Sequence, residues 1–454
     1  MAKKSKKIIR KILIVPDYIF IVFVLPFCLI AFLFAMPWIL KQRKIWNHSA
    51  RGNPKALMLR AFTVEKIVNR GYESLLPLRN PSIKWIGILD AANPVTTKIE
   101  ITNDLHIITW KTPIIVRFLR KIRFLAAAII FREMISIFKI TSYCVKERIG
   151  VLRVFKYDYP AIQAFLVSSF IKIPFIVDII ANLELIRRLT GKVYYFRELS
   201  RVPLIRILTR LASNWLLGLP LRHAFRVLGR NKNNYEHAFA LGAPVERLSL
   251  IRISNFSAAF NSYNPEEPPP KPVEYPYLLF VGRLVAVKYP LDVLEAFDLA
   301  APYLPEHRLV IIGDGAMRNE VEKRKERSAY KDRIVILGGC SNNIVFNWTA
   351  HAKVAICPYS GSTLVEAMLC AVPAVAYDIE WHAEVAIDDY TGFLVPFRDI
   401  AALAEKIVYV VHNYEEAKIV ANRGRELARV AFDKQKILEK ESMFYRRALT
   451  DSRN

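Results

Sequence analysis

The clearest pattern in the chain is an alternation of short apolar runs with longer amphipathic stretches over its second half. The stretches between the runs have helical periodicity, as in "YPLDVLEAFDLAAPYL". Continuous apolar strands that alternate with helices are typical of a parallel sheet covered on both faces. Ligands of such sheets bind outside the carboxyl ends of the strands. The predicted strands are "YLLFVG" (277–282), "RLVIIGDG" (308–315), "RIVILGG" (333–339), "KVAICPYS" (353–360), "PAVAYDI" (373–379) and "TGFLVPF" (391–397).

The first half shows the same alternation in a looser form, which predicts a second α/β domain over 55–263. Residues 264–276, "NPEEPPPKPVEYP", contain six prolines and lie between the two halves. Proline lacks a backbone N–H and interrupts regular structure, so this segment is predicted to be a stiff linker. The second domain is predicted over 277–412, and 413–454 is predicted to form C-terminal helices.

The first 45 residues have a different character from both domains. After a basic start, residues 18–40 run for 23 residues without a charged side chain. As a helix this segment would be about 34 Å long, which is enough for a bilayer core. It is longer than the apolar region of a signal peptide and no cleavage pattern follows it, so a membrane anchor is predicted. Pro26 and Pro37 leave two alternatives open, a single span or a kinked segment that returns to the same face.

Positive charge is concentrated near this segment. The formal net charge is +25, and the first 60 residues hold twelve Lys and Arg against one acid, a net of +11. Residues 116–132, "VRFLRKIRFLAAAIIFR", interleave basic and apolar side chains. This pattern fits either a helix at a membrane surface or a core helix with a solvated face. An anionic membrane surface is the predicted partner of the charge, with the body of the chain on the cytoplasmic face.

Composition also excludes several classes of site. The five Cys are scattered and form no CxxC pair, which argues against a disulfide framework or a zinc site, so no metal is predicted. Neither zinc-finger spacing nor an RNP-type aromatic motif is present, and no nucleic-acid partner is predicted.

Residues suited to a nucleoside diphosphate follow two of the predicted strands. Arg283 and Lys288 come after the first strand and can neutralise two phosphates. "SGST" at 360–363 precedes a predicted helix, whose free N–H groups attract anions. Glu366, one turn further, can accept two hydroxyl hydrogen bonds, as from a ribose. Each of these features alone is common on solvated surfaces, and their order along the chain is what favours a nucleotide site.

The segments "FVGRLVAVKYPLDVLEAF", "LVIIGDGAMRNEVE", "RIVILGG", "CPYSGSTLVEAMLCAVPAVAYD" and "TGFLVPFRD" resemble the donor half of glycosyltransferase family 4 over about 277–400. The resemblance implies the GT-B fold, in which two Rossmann-like, doubly wound domains face a cleft. It also implies retaining transfer of a sugar from a nucleotide-sugar, with no cofactor.

The same resemblance implies a role for individual residues. Arg283 and Lys288 would hold the donor diphosphate and stabilise the leaving group. Glu366 would match the second Glu of the family's E-x7-E motif, which binds the donor ribose. The other predicted donor-binding residues are Gly282, Gly338, Gly339, Cys340, Gly361, Ser362, Thr363 and Leu364.

The chain departs from the family pattern at the sugar end of the site. Pro358 stands where the first Glu of E-x7-E is expected, and Glu380 and Trp381 stand in place of two glycines. Trp381, His382 and Glu384 are therefore candidates for a different sugar wall, with simple packing as the alternative for the first two. In the first half the family's His after an apolar strand has no clear match, and Asp178 and Asn182 are the candidate acceptor-side residues.

These features predict a membrane-associated glycosyltransferase that acts on a lipid-linked or cell-surface glycan acceptor. The alternative is a catalytically degenerate GT-B protein that binds sugar or a partner within a membrane glycan-assembly complex. A GT-B sugar-nucleotide epimerase ranks last, because a soluble substrate needs no anchor.

Overall fold

The computed structural model describes residues 35–49, 53–59, 83–93, 97–121, 125–191, 213–252 and 258–451. It divides into two compact units. Unit 1 comprises 1–251 and 436–454, and unit 2 comprises 252–435. The predicted membrane segment, 18–40, lies outside the described residues up to position 34 and stays a prediction. Among the described residues, no helix is both long and apolar enough to span a bilayer.

Unit 1 is built on a mixed sheet in which eight strands occur among the described residues, in the order β3-β4-β2-β1-β5-β6-β7-β8. Only β3 and β4 pair antiparallel within this set. The central strands are buried on both faces, which explains their continuous Val, Ile and Leu runs. Their bounds are β1 Lys55–Leu59, β2 Trp85–Asn93, β3 Thr97–Thr102, β4 Leu105–Lys111, β5 Val151–Val154, β6 Phe175–Ile179, β7 Arg226–Gly229 and β8 Leu248–Leu250.

Helices connect and cover these strands. The described helices of unit 1 are α1 Met36–Ser49, α2 Ile114–Lys121, α3 Leu125–Lys146, α4 Tyr159–Ile171, α5 Leu183–Thr190, α6 Ser213–His223 and α7 Lys232–Ala240, with α15 Lys434–Asp451 at the end of the chain.

Helix α1 begins inside the segment that was predicted to lie in the membrane, yet it packs on unit 1. Trp46 is fully buried, and its indole Nε1 donates to the carbonyl of Ile149 at 2.8 Å. Trp38 meets Phe138 of α3 edge-to-face, with ring centroids 5.3 Å apart. The sequence-based boundary of the anchor at residue 45 therefore runs through a helix of the globular body.

A buried charge network attaches α15 to the sheet of unit 1. Arg153 of β5 donates to Asp178 of β6 at 2.6 Å and to Glu441 of α15 at 3.0 Å. Arg230, which follows β7, pairs with the same two carboxylates. Burial alone would raise the pKa of Glu441, but the two guanidinium groups lower it to about 2. Two arginines thus balance two carboxylates, and the last helix belongs with unit 1 although the sequence grouped it with the helices before it.

Unit 2 contains a sheet whose described strands are all parallel, in the order β11-β10-β9-β12-β13-β14. The predicted strands of the second half coincide with these elements. Their bounds are β9 Tyr277–Val281, β10 Arg308–Ile312, β11 Ile334–Gly338, β12 Val354–Cys357, β13 Ala374–Tyr377 and β14 Phe393–Val395. The intervening helices are α8 Ala258–Asn261, α9 Pro290–Ala300, α10 Arg318–Glu326, α11 Asn342–Ala350, α12 Thr363–Leu369, α13 Ile400–His412 and α14 Tyr414–Ala431.

The proline-rich segment 264–276 has neither helix nor strand, as its composition predicts. It belongs to unit 2, where His351 Nε2 donates to the carbonyl of Pro269 at 2.6 Å. The boundary between the units falls between Ile251 and Arg252, a little before the predicted linker.

Candidate functional site

A cavity of about 270 Å³ opens in unit 2 where β9 and β12 end. Successive strands run outward from β9 to β11 on one side and from β12 to β14 on the other, so the strand order reverses between β9 and β12. Loops diverge at such a switch point and leave a crevice, which is where open parallel sheets bind ligands. Its lining comprises Phe280, Val281, Gly282, Arg283, Lys288 and the run 357–363 from Cys357 to Thr363.

Two cations line this cavity. Arg283 is exposed directly after β9, and Lys288 is half-buried at the end of the 3-10 turn Ala286–Lys288. The Lys288 ammonium lies 4.9 Å from the ring centroid of Tyr359. Burial, and then the nearby positive charge of Arg283, lower the pKa of Lys288 to about 8. An anion with two charges would relieve this repulsion, because each cation would gain a partner.

The loop before α12 closes the opposite side of the cavity. A side chain built at the exposed Gly361 would meet only the Lys288 ammonium, at 4.0 Å. Gly361 therefore leaves room for a ligand to approach the backbone and the lysine together. Ser362 and Thr363 also line the cavity, whereas Leu364 is fully buried in the core and does not.

His382 fixes this loop from beneath. It is wholly buried; its Nδ1 donates to the carbonyl of Tyr377 at 2.9 Å, and its Nε2 accepts from the backbone N–H of Ser360 at 3.1 Å. Burial lowers the pKa of His382 to about 4, so the ring is neutral at pH 7 and can accept that bond. The residue was a candidate for the sugar wall, and the structure gives it the task of positioning the loop.

Glu366 lies in the first turn of α12 and is half-buried. Burial raises the pKa of its carboxyl to about 7, although a hydrogen bond from Ser362 opposes the shift. The group therefore titrates near neutral pH. In its ionised form it is an acceptor for two donors, as a ribose diol would supply.

Glycines at the ends of β10 and β11 allow close backbone contacts at the same edge of the sheet. A Cβ at Gly313 would lie 1.8 Å from the carbonyl oxygen of Gly282, so the backbone after β10 is in direct contact with the backbone after β9. Gly338 accepts a hydrogen bond from the N–H of Gly313 at 2.7 Å. Gly338 is the last residue of β11, and Gly339 and Cys340 follow it. This strand lies two strands away from β9, and the three residues are not among the lining of the β9–β12 cavity.

The segment after β13 replaces the glycines of the family pattern. Glu380 adopts φ 53°, a conformation that side chains rarely take, and its Oε2 accepts from the Tyr359 hydroxyl at 2.6 Å. Trp381 packs edge-to-face on His382 at 5.4 Å. Glu384 forms an ion pair with Arg252. Glu380, whose carboxylate lies near Lys288, was not predicted as a site residue. Its position, where the family pattern has a glycine, was the sequence signal that could have identified it.

The two candidate residues of the first half lie in unit 1 and are held by internal bonds. Asp178 is fully buried between Arg153 and Arg230, so its carboxylate balances charge inside the sheet instead of facing a substrate. Asn182 caps α5, where its Oδ1 accepts from the N–H of Leu185 at 3.0 Å. Both residues have structural roles. Their position near the end of a predicted strand does not distinguish these roles from ligand binding.

Comparison with known proteins identifies the domain that contains the cavity. Residues 264–427 match the family described as glycosyl transferases group 1. The putative glycosyltransferase EpsD of Bacillus subtilis is 26% identical over 247 residues, which cover 51% of this chain and 65% of EpsD. The chain spans less than two thirds of the length of the curated relatives it matches first.

Solved structures share the fold at low identity. HepE from Anabaena, in complex with UDP and glucose, superposes with a TM-score of 0.58 at 14% identity, covering 86% of this chain and 98% of HepE. Sucrose-phosphate synthase from Thermosynechococcus elongatus gives 0.64 at 15%, covering 88% and 100%. The chain therefore contains a glycosyl transferases group 1 domain and has a GT-B-like α/β fold.

Proposed function

We propose that this chain is a glycosyltransferase that takes a sugar from a nucleoside-diphosphate sugar, by the retaining route of family 4. The observation that supports this most directly is the β9–β12 cavity, where two cations face an open glycine loop at the switch point of the sheet. HepE, a protein with the same fold, was solved with UDP and glucose.

In this proposal the diphosphate lies between the Lys288–Arg283 pair and the backbone of Gly361. Charge builds up on the phosphate oxygens as the sugar bond breaks, and fixed cations stabilise that charge without rearranging. Arg283 and Lys288 thus neutralise the leaving group themselves, and no cofactor is part of the proposal.

Glu366 holds the ribose and fixes the nucleotide end of the donor. Its carboxylate lies one turn beyond the Gly361 loop, so a nucleotide with its diphosphate at that loop places the ribose hydroxyls beside α12. Gly338, Gly339 and Cys340, which the family resemblance suggests as the lining of a base pocket, lie on the same edge of the sheet.

The acceptor is proposed to be a lipid-linked or cell-surface glycan, met at the cytoplasmic face of a membrane. The apolar segment 18–40 and the net charge of +11 over the first 60 residues support this placement. An enzyme held there would receive its donor from the cytosol and its acceptor from the bilayer.

The test is UDP binding and sugar transfer by the full chain and by Arg283→Ala and Lys288→Ala. Both variants should bind UDP at least about tenfold more weakly, since charge-assisted contacts to phosphate contribute about 1.5–3 kcal/mol each. Lys323→Ala and Arg327→Ala, which change exposed cations at α10, are the matched controls. Unchanged UDP affinity in the cavity variants would contradict the proposed donor site.

A second function is favoured by one observation at the same site. Pro358 lines the cavity where the family motif has a sugar-binding Glu, which suits a protein that binds donor without transferring it. A chain that binds UDP-sugars tightly and yet neither transfers nor hydrolyses them with any glycan acceptor would support this degenerate, partner-binding role.

A further inference from the structure

Helix α2 exposes apolar side chains in a way that the core of unit 1 does not require. Val116 and Leu119 are buried and pack with Ala128 and Phe131 of α3. On the other side of the helix, Ile114 is 76% exposed and Phe118 57% exposed. The helix is therefore apolar on two faces, and only one of them is covered by the described chain.

The exposed face of α2 is also basic. Arg117, Arg120 and Lys121 are exposed between the apolar side chains, and the helix contains no acidic residue. Apolar side chains at the interface with basic side chains beside them are typical of a helix that lies in the headgroup region of an anionic membrane. The apolar core of a protein–protein interface is depleted of charged residues, and of Lys in particular, whereas three cations lie among the exposed apolar side chains of α2.

An apolar groove lies between the end of β4, which precedes α2, and the second half of α3. Its volume is about 440 Å³, and Trp110, Phe138 and Tyr143 form its apolar walls. Trp110 is the penultimate residue of β4, and α2 begins four residues later, at Ile114. The Tyr143 ring lies edge-to-face with Trp110 at 5.9 Å, and its hydroxyl has no hydrogen-bond partner within the described part of the chain.

Two lysines flank this groove. Lys139 lies 5.9 Å above the ring centroid of Trp110, and Lys146 forms part of the lining. An apolar groove with an unpartnered hydroxyl and basic rim matches a phospholipid, which has acyl chains and an anionic phosphate. Aromatic rings with one polar end are likewise enriched where a membrane meets water.

We infer that α2 and the Trp110 groove form a docking face for a bilayer that contains anionic phospholipid. This inference rests on the proposed membrane association and adds a second contact, made by the globular body, to the predicted N-terminal anchor. It does not depend on sugar transfer. Docking would hold unit 1 against the surface from which a lipid-linked acceptor is presented.

The experiment is site-specific photocrosslinking in the full chain, reconstituted in nanodiscs, because the predicted anchor would keep every variant on the membrane. Benzoylphenylalanine replaces Phe118 in one sample and Phe239 in the other. Phe239 is the matched control, since it is an aromatic residue of unit 1 with 59% exposure on a helix that contains an acidic residue. The discs contain phosphatidylcholine alone or equal parts of phosphatidylcholine and phosphatidylglycerol.

The expected result is a lipid adduct at position 118 in the anionic discs, with little adduct at position 239 or in neutral discs. Arg117→Gln with Lys121→Gln should reduce the adduct yield roughly 25-fold, at about fivefold for each basic side chain near an anionic surface. Lys232→Gln, on the control helix, should leave the yield unchanged.

The mass of the adduct shows whether a lipid, a second copy of the chain or another segment of the same chain contacts this face. Crosslinks at position 118 to a second copy, or to another segment of the same chain, would overturn the inference, as would equal lipid adducts at both positions. UDP binding by the Arg117→Gln, Lys121→Gln variant should equal that of the unaltered chain. If the unaltered chain binds UDP but gives no lipid adduct at position 118, this inference alone fails. If it gives the adduct but does not bind UDP, only the proposed donor site fails.

Discussion

Glu366→Gln is expected to stabilise unit 2 while it weakens nucleotide binding. Burial raises the pKa of this carboxyl from 4.5 to about 7, so the charged form is less favourable in the folded chain than in the unfolded chain. By linkage, Glu366 has no such cost below pH 4.5. The cost grows as pH rises to about 7 and is constant above it.

The size of the effect follows from the shift. Moving from 4.5 to about 7 at 1.36 kcal/mol per pKa unit gives an upper limit of about 3 kcal/mol. Because Glu366 is only half-buried, solvent screening reduces this to about 1–2 kcal/mol. A neutral Gln removes the cost, so the variant should be more stable by that amount at pH 8 and unchanged at pH 4. Its weaker acceptor should lower UDP affinity about fivefold, since hydrogen bonds to charged groups contribute about 1 kcal/mol more than neutral ones.

Hydrogen exchange of core amides in β9 and β12 measures the opening free energy of unit 2 alone, and calorimetry measures UDP affinity. Glu320→Gln, at an exposed position of α10, is the control that should change neither quantity. If Glu366→Gln destabilises unit 2 at pH 8, shifts its stability equally at both pH values, or leaves UDP affinity unchanged, the assignment of a buried ribose-binding carboxylate is refuted.

Three further changes test other parts of the structure. UDP affinity should fall about fivefold between pH 8 and 9, because Lys288 with a pKa of about 8 loses its charge there, and calorimetry should show a flat profile for Lys288→Arg. Glu441→Gln leaves two buried arginines with one carboxylate, so urea unfolding of unit 1 should show a loss of about 3–5 kcal/mol. Gly313→Ala puts a methyl group 1.8 Å from the Gly282 oxygen and should abolish UDP binding in a fluorescence titration.

The strands of unit 2 were accessible from the sequence because each is buried on both faces and therefore has a continuous apolar run. "YLLFVG" coincides with β9 at Tyr277–Val281, and "KVAICPYS" contains β12 at Val354–Cys357. The strand order was not accessible, because pairing of β9 with β12 joins residues more than seventy positions apart. The switch point that creates the cavity thus appears only in the structure, although the sequence had already marked Arg283 and Gly361 beside it.

The predicted and observed roles of residues differ mainly at polar groups whose hydrogen-bond or ion-pair partners lie far along the chain. A buried histidine that holds a loop and one that faces a ligand have the same local sequence, and the Ser360 bond that separates them spans 22 residues. The same holds for Asp178: Glu441, with which it shares two arginines, belongs to the last helix. Apolar periodicity does not encode such pairs, because it reports burial and not the partner that compensates a buried charge.

The sugar end of the site differs from the family pattern in a physically consistent way. At Glu380 the backbone keeps a glycine-like conformation, φ 53°, at a cost of about 1–2 kcal/mol for a side chain. The residue gains a 2.6 Å bond from Tyr359, whose ring lies 4.9 Å from the Lys288 ammonium. Burial raises the pKa of Glu380, while the Tyr359 hydrogen bond and the charge of Lys288 oppose this rise. Tyr359 thus contacts both the Glu380 carboxylate and the Lys288 ammonium. Pro358 removes an acid from one side of the loop, and Glu380 supplies another within reach of the same cation, so the charge balance around Lys288 does not depend on position 358.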